Sequence, residues 1–218
     1  MSARNNILER IRKAHGRNGA APTEAELLAV RAAIAERTRG PLPSLGRPQD
    51  PLAQFKRECD RLGTTHSEAQ RFDDLPREVA RYLEANSLEW KLVLWREFAG
   101  LRWGGVGIQF DDRAANGNDS TGLTSCFCAI AETGTLLLLG APATPKATAL
   151  LPETHIAVVR KSRIVDTMED ALALLRDEVG EPPRATWFVS GPSRTADIEQ
   201  TMVIGAHGPY RAHVILIP

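Results

Sequence analysis

Apolar residues follow a helical period in some parts of the chain and form short unbroken runs in others. Stripes at helical spacing predict helices within residues 2–14, 24–39, 52–62, 75–83 and 168–179. The apolar and β-branched runs predict strands of one sheet, at Lys91–Trp95, Thr135–Leu139, Ile156–Arg160, Thr186–Val189 and His213–Ile217. Because helices and strands alternate, this pattern predicts an α/β fold with a central, mostly parallel sheet flanked by helices.

Residues 41–51 interrupt the pattern with proline, glycine and serine, and they predict a linker. The two helical stripes before the linker carry too few apolar residues to build a core of their own. We therefore expect two parts in this chain. An N-terminal helical arm with its linker occupies residues 1–50, and an α/β domain occupies residues 51–218.

The segment 186–199 is typical of a strand that runs through a tight turn into a helix. Ser193 is a favoured N-cap residue for such a helix. In an open α/β sheet, ligands bind at the carboxyl ends of strands, where free N–H groups and Arg194 would suit an anion. Asp197 and Glu199 would fall in the first turn and satisfy the helix dipole themselves. The alternative is therefore a capped crossover helix with no ligand.

Composition argues against several classes of protein. Lys and Arg together number 27, as do Asp and Glu, so the formal net charge is zero and nucleic acid is not expected as a partner. No apolar run reaches the roughly 18 residues of a membrane span, and the start lacks the apolar core of a secretory signal, so we expect a cytoplasmic protein. Three cysteines cannot supply the four thiolates of a usual iron–sulfur cluster. We expect no metal in this chain, and we expect Cys126 and Cys128 to be buried thiols on one strand face.

Two residues have the chemistry of an acid or a base. Glu132 precedes a glycine turn at the edge of a buried strand, where a carboxylate must be solvated, paired or functional. His207 lies between glycines on a constrained loop that could present its imidazole to a ligand. The alternatives are an ordinary turn acid and a histidine that pins its loop by bonding backbone carbonyls. We expect both residues to gather with Ser193 and Arg194 in one cleft at the carboxyl ends of the central strands.

Four segments in a fixed order resemble one known family. They are Ala129–Thr135, Leu150–Ile156, Ser190–Glu199 and Gly205–Pro209. Together they are similar to the lactate utilization protein C (LutC/YkgG) family of the LUD-domain group, over roughly residues 60–218. The resemblance implies a fold like that of the NagB/RpiA/CoA-transferase group. It also implies a role in oxidising L-lactate to pyruvate, with partner proteins that carry the iron–sulfur clusters and none in this chain.

The resemblance implies no settled catalytic residues, but the positions that match the family motifs are the expected site for a small anionic substrate. Their own acid–base chemistry makes Glu132 and His207 the expected catalytic residues. The expected substrate-binding residues are Thr133, Gly134, Thr135, Gly191, Ser193, Arg194, Asp197 and Gly208. Two other functions remain open on the same fold: a stand-alone enzyme of the isomerase or CoA-transferase type, and a module that senses a small anionic metabolite.

Overall fold

The computed structural model describes residues 2–16, 20–36, 38, 40, 49–197 and 200–218. Contacts between residues divide the chain into two compact units, residues 1–45 and residues 46–218, and each is described by itself. The predicted linker, residues 41–51, lies largely outside the described residues, as do Ile198 and Glu199.

The first unit contains two helices, α1 (Ala3–Ala14) and α2 (Glu24–Glu36). The α2 helix begins at a capping box, in which the backbone N–H of Thr23 donates to the Glu26 carboxylate at 2.7 Å. The backbone N–H of Glu26 donates in return to the Thr23 hydroxyl at 3.3 Å. Both predicted helices are therefore present, while the assignment of residues 1–50 as a separate arm stays a prediction.

The described part of the second unit contains four α-helices, four short 3₁₀ helices and twelve strands. The α-helices are α3 (Pro51–Leu62), α4 (Leu75–Ala85), α5 (Ala147–Leu150) and α6 (Met168–Val179), and the 3₁₀ helices are Phe72–Asp74, Arg96–Phe98, Trp103–Val106 and Lys161–Arg163. The strands are β1 (Thr65–Glu68), β2 (Lys91–Leu94), β3 (Gln109–Asp111), β4 (Thr121–Ser125), β5 (Cys128–Ile130), β6 (Thr135–Leu139), β7 (Thr154–Arg160), β8 (Ile164–Val165), β9 (Thr186–Val189), β10 (Arg194–Thr195), β11 (Val203–Ile204) and β12 (Arg211–Ile217). None of the helices in the described residues combines the length and the apolar character that a membrane crossing needs.

Six strands form the central sheet in the order β1-β12-β7-β4-β2-β3, and every neighbouring pair is parallel. The strands β7 and β12 lie in the middle and are buried along almost their whole length, as expected for a parallel sheet covered on both faces. Helices α3 and α4 pack apolar side chains into the same core as the sheet. The predicted α/β class is therefore confirmed, whereas the likeness to the NagB/RpiA/CoA-transferase group stays a prediction.

The prediction of a single sheet is wrong, because two of the predicted strands lie in a second sheet. This sheet has the order β8-β5-β6-β9, and β6 is antiparallel to both of its neighbours. Leu136 and Leu138 pack into the main core, while Leu137 packs with Cys128 into a smaller cluster that includes Ala171 of α6. The unbroken run of leucines thus predicts that β6 is buried on both faces, but it does not indicate which strands pair with β6.

The prediction of a helix after Ser193 is also wrong for the described residues. Arg194–Thr195 form the short strand β10, which pairs antiparallel with β11. The carbonyl of Ser193 accepts from the backbone N–H of Gly205 at 2.9 Å and extends this pairing. Ser and Thr side chains favour turns and extended backbone as well as helix caps, so the capping signal alone did not define a helix.

Candidate functional site

A cleft of about 300 Å³ opens at the carboxyl edge of the central sheet. Most of its wall comes from residues at or near the carboxyl ends of the strands β2, β4, β7 and β12: Glu97, Phe98, Ser125, Cys126, Val158, Arg160 and Ile217. The remaining wall residues are Phe72, Phe127, Arg163 and Glu178. The carboxyl edge of a parallel sheet is where open α/β folds bind ligands, and this volume is within the range of ligand pockets.

One cation in this cleft has no ion-pair partner among the described residues. The Arg160 guanidinium lies over the Phe72 ring, 5.9 Å from its centroid, and it forms no ion pair with a described residue. A planar guanidinium without a partner can bind the two oxygens of a carboxylate or phosphate. The cleft is therefore suited to an anionic ligand.

A hydroxyl and a carboxylate form the second polar feature of the cleft. The Ser125 hydroxyl donates to the Glu97 carboxylate at 2.5 Å. The two residues are positioned by different strands: Ser125 is the last residue of β4, and Glu97 lies in the 3₁₀ helix that follows β2. This pair can accept a proton or a hydrogen bond from a hydroxyl group of a bound ligand.

The second arginine of the cleft, Arg163, is already paired with a carboxylate. Arg163 binds both carboxylate oxygens of Glu178, at 2.6 and 2.9 Å, and these bonds raise the pKa of Arg163 above its ordinary value. Its Nε also donates to the carbonyl of Phe127 at 2.9 Å. Arg163 thus holds the wall of the cleft in place, while Arg160 remains available to a ligand.

The cysteines do not supply a nucleophile to this cleft. Burial raises the pKa of the Cys128 thiol to about 11 and also raises that of Cys126. Both thiols are therefore protonated at neutral pH and are weak nucleophiles. The prediction that they share one strand is wrong, since Cys126 lies in the connection between β4 and β5.

The residues predicted to form the site lie at the opposite, amino edge of the sheet. His207 and Gly208 belong to the loop that leads into β12, whose first residue Arg211 pairs with Thr154 at the start of β7. The backbone N–H of Ser193 donates to the carbonyl of Pro209 in the same loop at 2.9 Å. The predicted position at the carboxyl ends is therefore wrong, because this loop enters a parallel strand instead of leaving one.

Two of the motif glycines pack against the last turns of α3. Gly134 and Gly191 have φ angles of +63° and +78°, which residues with a side chain rarely adopt. A Cβ atom at Gly134 would lie 2.9 Å from the backbone of Glu58, and one at Gly191 would lie 3.0 Å from Leu62 Cβ. Their close approach is to the protein itself, so packing alone accounts for both glycines.

The neighbouring hydroxyls join these two turns to each other. Thr135 Oγ1 and Ser190 Oγ are hydrogen-bonded at 2.6 Å, which links the start of β6 to the end of β9. The Thr133 hydroxyl donates to Thr135 Oγ1 at 2.8 Å. Thr133 and Thr135 thus stabilise the second sheet, and their predicted contact with substrate stays a prediction.

Glu132 and Arg194, two charged residues of the motifs, each bind the end of a helix. The Glu132 carboxylate accepts from the backbone N–H of Met168, at 3.0 Å, in the first turn of α6. The Arg194 guanidinium donates to the carbonyl of Leu62 in the last turn of α3. An anion at a helix N-terminus and a cation at a helix C-terminus are both favourable, so each residue has a structural partner.

The remaining motif residues meet on the surface. His207 Nε2 and Asp197 Oδ2 are 3.9 Å apart, and their side chains are 70% and 80% exposed. A Cβ atom at Gly208 would lie 3.2 Å from Ser193 Cβ. The structure therefore brings Ser193, Asp197, His207 and Gly208 together, but the Glu132 carboxylate points to α6 and does not join them.

Two buried histidines lie beneath the motif turns. His155 Nε2 is hydrogen-bonded to the Thr124 hydroxyl, and His213 Nδ1 to the Thr65 hydroxyl, both at 2.8 Å. Burial lowers the pKa of each histidine to about 4, so both are neutral at pH 7. The cavity that they line with Gly134 and Gly191 measures only about 10 Å³, which is room for about one water molecule.

The residues that line the carboxyl-edge cleft were missed by the sequence predictions, although a signal for them exists. Arg160 ends a predicted strand, and Glu97 follows another within two residues. The rule that ligands bind beyond the carboxyl ends of parallel strands would have selected both. Among the described residues, no three His, Cys, Asp or Glu side chains are grouped to hold a metal ion.

Comparison with known proteins identifies relatives of this chain. The LUD domain profile matches residues 108–217. Lactate utilization protein C of Bacillus licheniformis is 37% identical over 99 residues, which cover 44% of this chain and 41% of that protein. Lactate utilization protein C of Anoxybacillus flavithermus is 28% identical over 193 residues, which cover 76% and 80% of the two chains. In the alignments to five relatives of this name, the chain spans 41% to 50% of the relative's own length.

A solved structure shares the fold. The crystal structure of a DUF162 family protein from Deinococcus radiodurans superposes with a TM-score of 0.55 and 25% sequence identity. The superposition covers 82% of this chain and 100% of that chain. The likeness therefore extends over most of the chain, well beyond the segment that matches the profile.

Proposed function

Since the chain belongs to the LUD domain family, we propose that it acts in lactate utilization. The observation that carries this proposal is its similarity to several bacterial proteins named lactate utilization protein C, at 28% to 38% identity. In the finer form of the proposal, the chain is one component of a system that oxidises L-lactate to pyruvate. This oxidation removes two electrons and two protons from each lactate, and iron–sulfur clusters on partner proteins would supply the electron acceptor.

The carboxyl-edge cleft offers the groups that such a substrate needs. Arg160 would bind the lactate carboxylate through its unpaired guanidinium. The Glu97 carboxylate, which already accepts from Ser125, would accept the proton of the 2-hydroxyl group. The rings of Phe72 and Phe127 line the same cleft and would reduce the access of water to the substrate.

A binding experiment tests the substrate part of this proposal. The purified chain and an Arg160→Ala variant are titrated with L-lactate and with pyruvate by calorimetry. We expect the variant to lose at least about tenfold in affinity, because a hydrogen-bonded charge is worth about 1.5 kcal/mol or more. An Arg184→Ala variant is the control, since Arg184 is exposed and lies outside the cleft. Equal affinities of the two variants would contradict the assignment of Arg160.

A second experiment tests the role as a component of a complex. The tagged chain is purified from its native cell, and dye reduction with L-lactate is measured for the complex and for the isolated chain. We expect co-purification of proteins with iron–sulfur absorbance and L-lactate oxidation only by the complex. Turnover of a phosphosugar or an acyl-CoA by the isolated chain would instead favour the stand-alone enzyme. Binding of an anion without turnover, alone or in a complex, would favour the sensing module.

A further inference from the structure

A larger depression lies beside the carboxyl-edge cleft and has no role in the proposal above. We call it the arginine groove, and its volume is about 570 Å³. Its wall comes from two segments that follow the carboxyl ends of β1 and β2, within residues 71–77 and 100–106. The stacked rings of Phe72 and Phe98 line the cleft, and residues within two positions of them in the chain line the groove. The two depressions are therefore neighbours.

The groove carries a local excess of positive charge in a chain whose net charge is zero. Its wall holds three arginines and two aspartates. Arg71 lies 3.5 Å from the Asp73 carboxylate, so this pair compensates itself. Arg77 and Arg102 form no ion pair with any described residue. Asp74 is the remaining carboxylate, and it caps α4 without a side-chain hydrogen bond. One positive charge is left over, with two guanidinium groups free to bind a ligand.

The glycines of the groove are not explained by packing. A Cβ atom at Gly100 or at Gly105 would meet no heavy atom within 4 Å, and neither residue has a positive φ angle. This contrasts with Gly134, which packs directly against α3. At these two positions the wall carries no side chain, so a ligand can approach the backbone there closely.

From these observations we propose that the arginine groove binds a small organic phosphate. Guanidinium groups bind phosphate oxygens in pairs, and two unpaired guanidiniums suit an anion with several oxygens better than a single carboxylate. The volume is also within the range of sites for ligands much larger than lactate. A nucleic acid needs a wide basic surface, which a chain of zero net charge does not favour.

Calorimetric titration with inorganic pyrophosphate tests this site on the full chain. We expect binding that weakens as salt rises, and a loss of about tenfold in affinity for Arg77→Gln and for Arg102→Ala. Arg184→Ala serves as the matched control and should bind as the unaltered chain does. Urea midpoints of the variants establish that they remain folded.

Titration of the same variants with L-lactate separates this proposal from the one above. The groove variants should bind L-lactate as well as the unaltered chain does, whereas Arg160→Ala should not weaken the binding of pyrophosphate by more than about twofold. Absence of pyrophosphate binding, or equal binding by the groove variants, overturns the proposal. Tighter binding of a single-stranded oligonucleotide than of pyrophosphate also overturns it, because the partner would then be a nucleic acid.

Discussion

The two buried histidines should make the stability of the second unit depend on pH above the range in which carboxylates titrate. His155 and His213 are 1% and 4% exposed, and burial lowers the pKa of each from 6.5 to about 4. For His213, the nearby His66 lowers the pKa further. In the unfolded chain both imidazoles take up a proton near pH 6.5, while in the folded chain they stay neutral to about pH 4. The unfolded state therefore binds more protons in this window, and stability falls as pH falls.

The size of the effect follows from the two pKa values. Lowering the pH from about 8 to about 5 should remove about 2 kcal/mol of unfolding free energy for each histidine, or about 4 kcal/mol for the pair. This is a large part of the roughly 5–15 kcal/mol that stabilises a typical domain. Glu68 titrates elsewhere, since hydrogen bonds from Lys161 and Lys56 lower its pKa to about 2. Its contribution is lost only as pH falls below 4.5.

Urea unfolding followed by tryptophan fluorescence measures this dependence at several pH values between about 5 and about 8. His155→Gln and His213→Gln each remove one titrating group, so each should reduce the loss between the two pH values by about 2 kcal/mol. His207→Gln is the matched control, because that side chain is 70% exposed and lies outside the buried pair. The reasoning is refuted if the unaltered chain and the two buried-site variants lose the same free energy over this range.

Three further predictions concern the packing of the second unit and use the same urea assay. Gly134→Ala should cost about 2 kcal/mol through its positive φ angle and its contact with α3, whereas Gly104→Ala, which faces open space, should cost less than about 1 kcal/mol; equal costs would contradict this. Glu132→Ala should cost about 1 kcal/mol by freeing the first turn of α6, and an unchanged midpoint would remove its capping role. A double-mutant cycle on Arg163 and Glu178 should give a small stabilising coupling, since both groups are partly exposed, and zero coupling would show that the bidentate pair is not stabilising.

The helices could be predicted because their signals are local. In α3, Asp50 caps the first turn by accepting from the backbone N–H of Ala53 at 3.0 Å, Pro51 takes the first position, and Gly63 ends the helix with a φ angle of +80°. In α6, Thr167 accepts from the backbone N–H of Asp170 in the same manner. Each signal lies within a few residues of the helix that it defines, so a single sequence contains it in full.

Strand partners could not be predicted in the same way, because they depend on residues far apart in the chain. Leu136 pairs with Val189, more than fifty residues away. Neither apolar segment indicates which sheet its strand joins. The strand β10 shows the same limit on a smaller scale. Its two residues are extended because Ile204 and Val203 lie opposite them, and the preceding Ser193 gives no sign of that partner.

The residue types of the candidate site could be predicted from the sequence, but its location on the sheet could be predicted only in part. Glycines that approach a ligand closely and glycines that approach a helix closely have the same local sequence, so Gly134 and Gly191 could not be assigned before α3 was placed beside them. The position of His207 was open to prediction, since a loop before a parallel strand must lie at the amino edge. The strand ends at Glu97 and Arg160 were open to prediction for the corresponding reason at the opposite edge.

The two edges of the sheet consequently carry different information about function. At the amino edge, Gly134, Gly191 and Arg194 contact α3, and the Glu132 carboxylate reaches α6, so the motifs shared with the family have structural partners there. A protein could keep these motifs to preserve its fold while its substrate changes. The carboxyl-edge cleft has the opposite character, because the Arg160 guanidinium has no ion-pair partner among the described residues. Substitution of the exposed Arg160 should therefore alter ligand binding with little loss of stability, and substitutions at the motif turns should do the reverse.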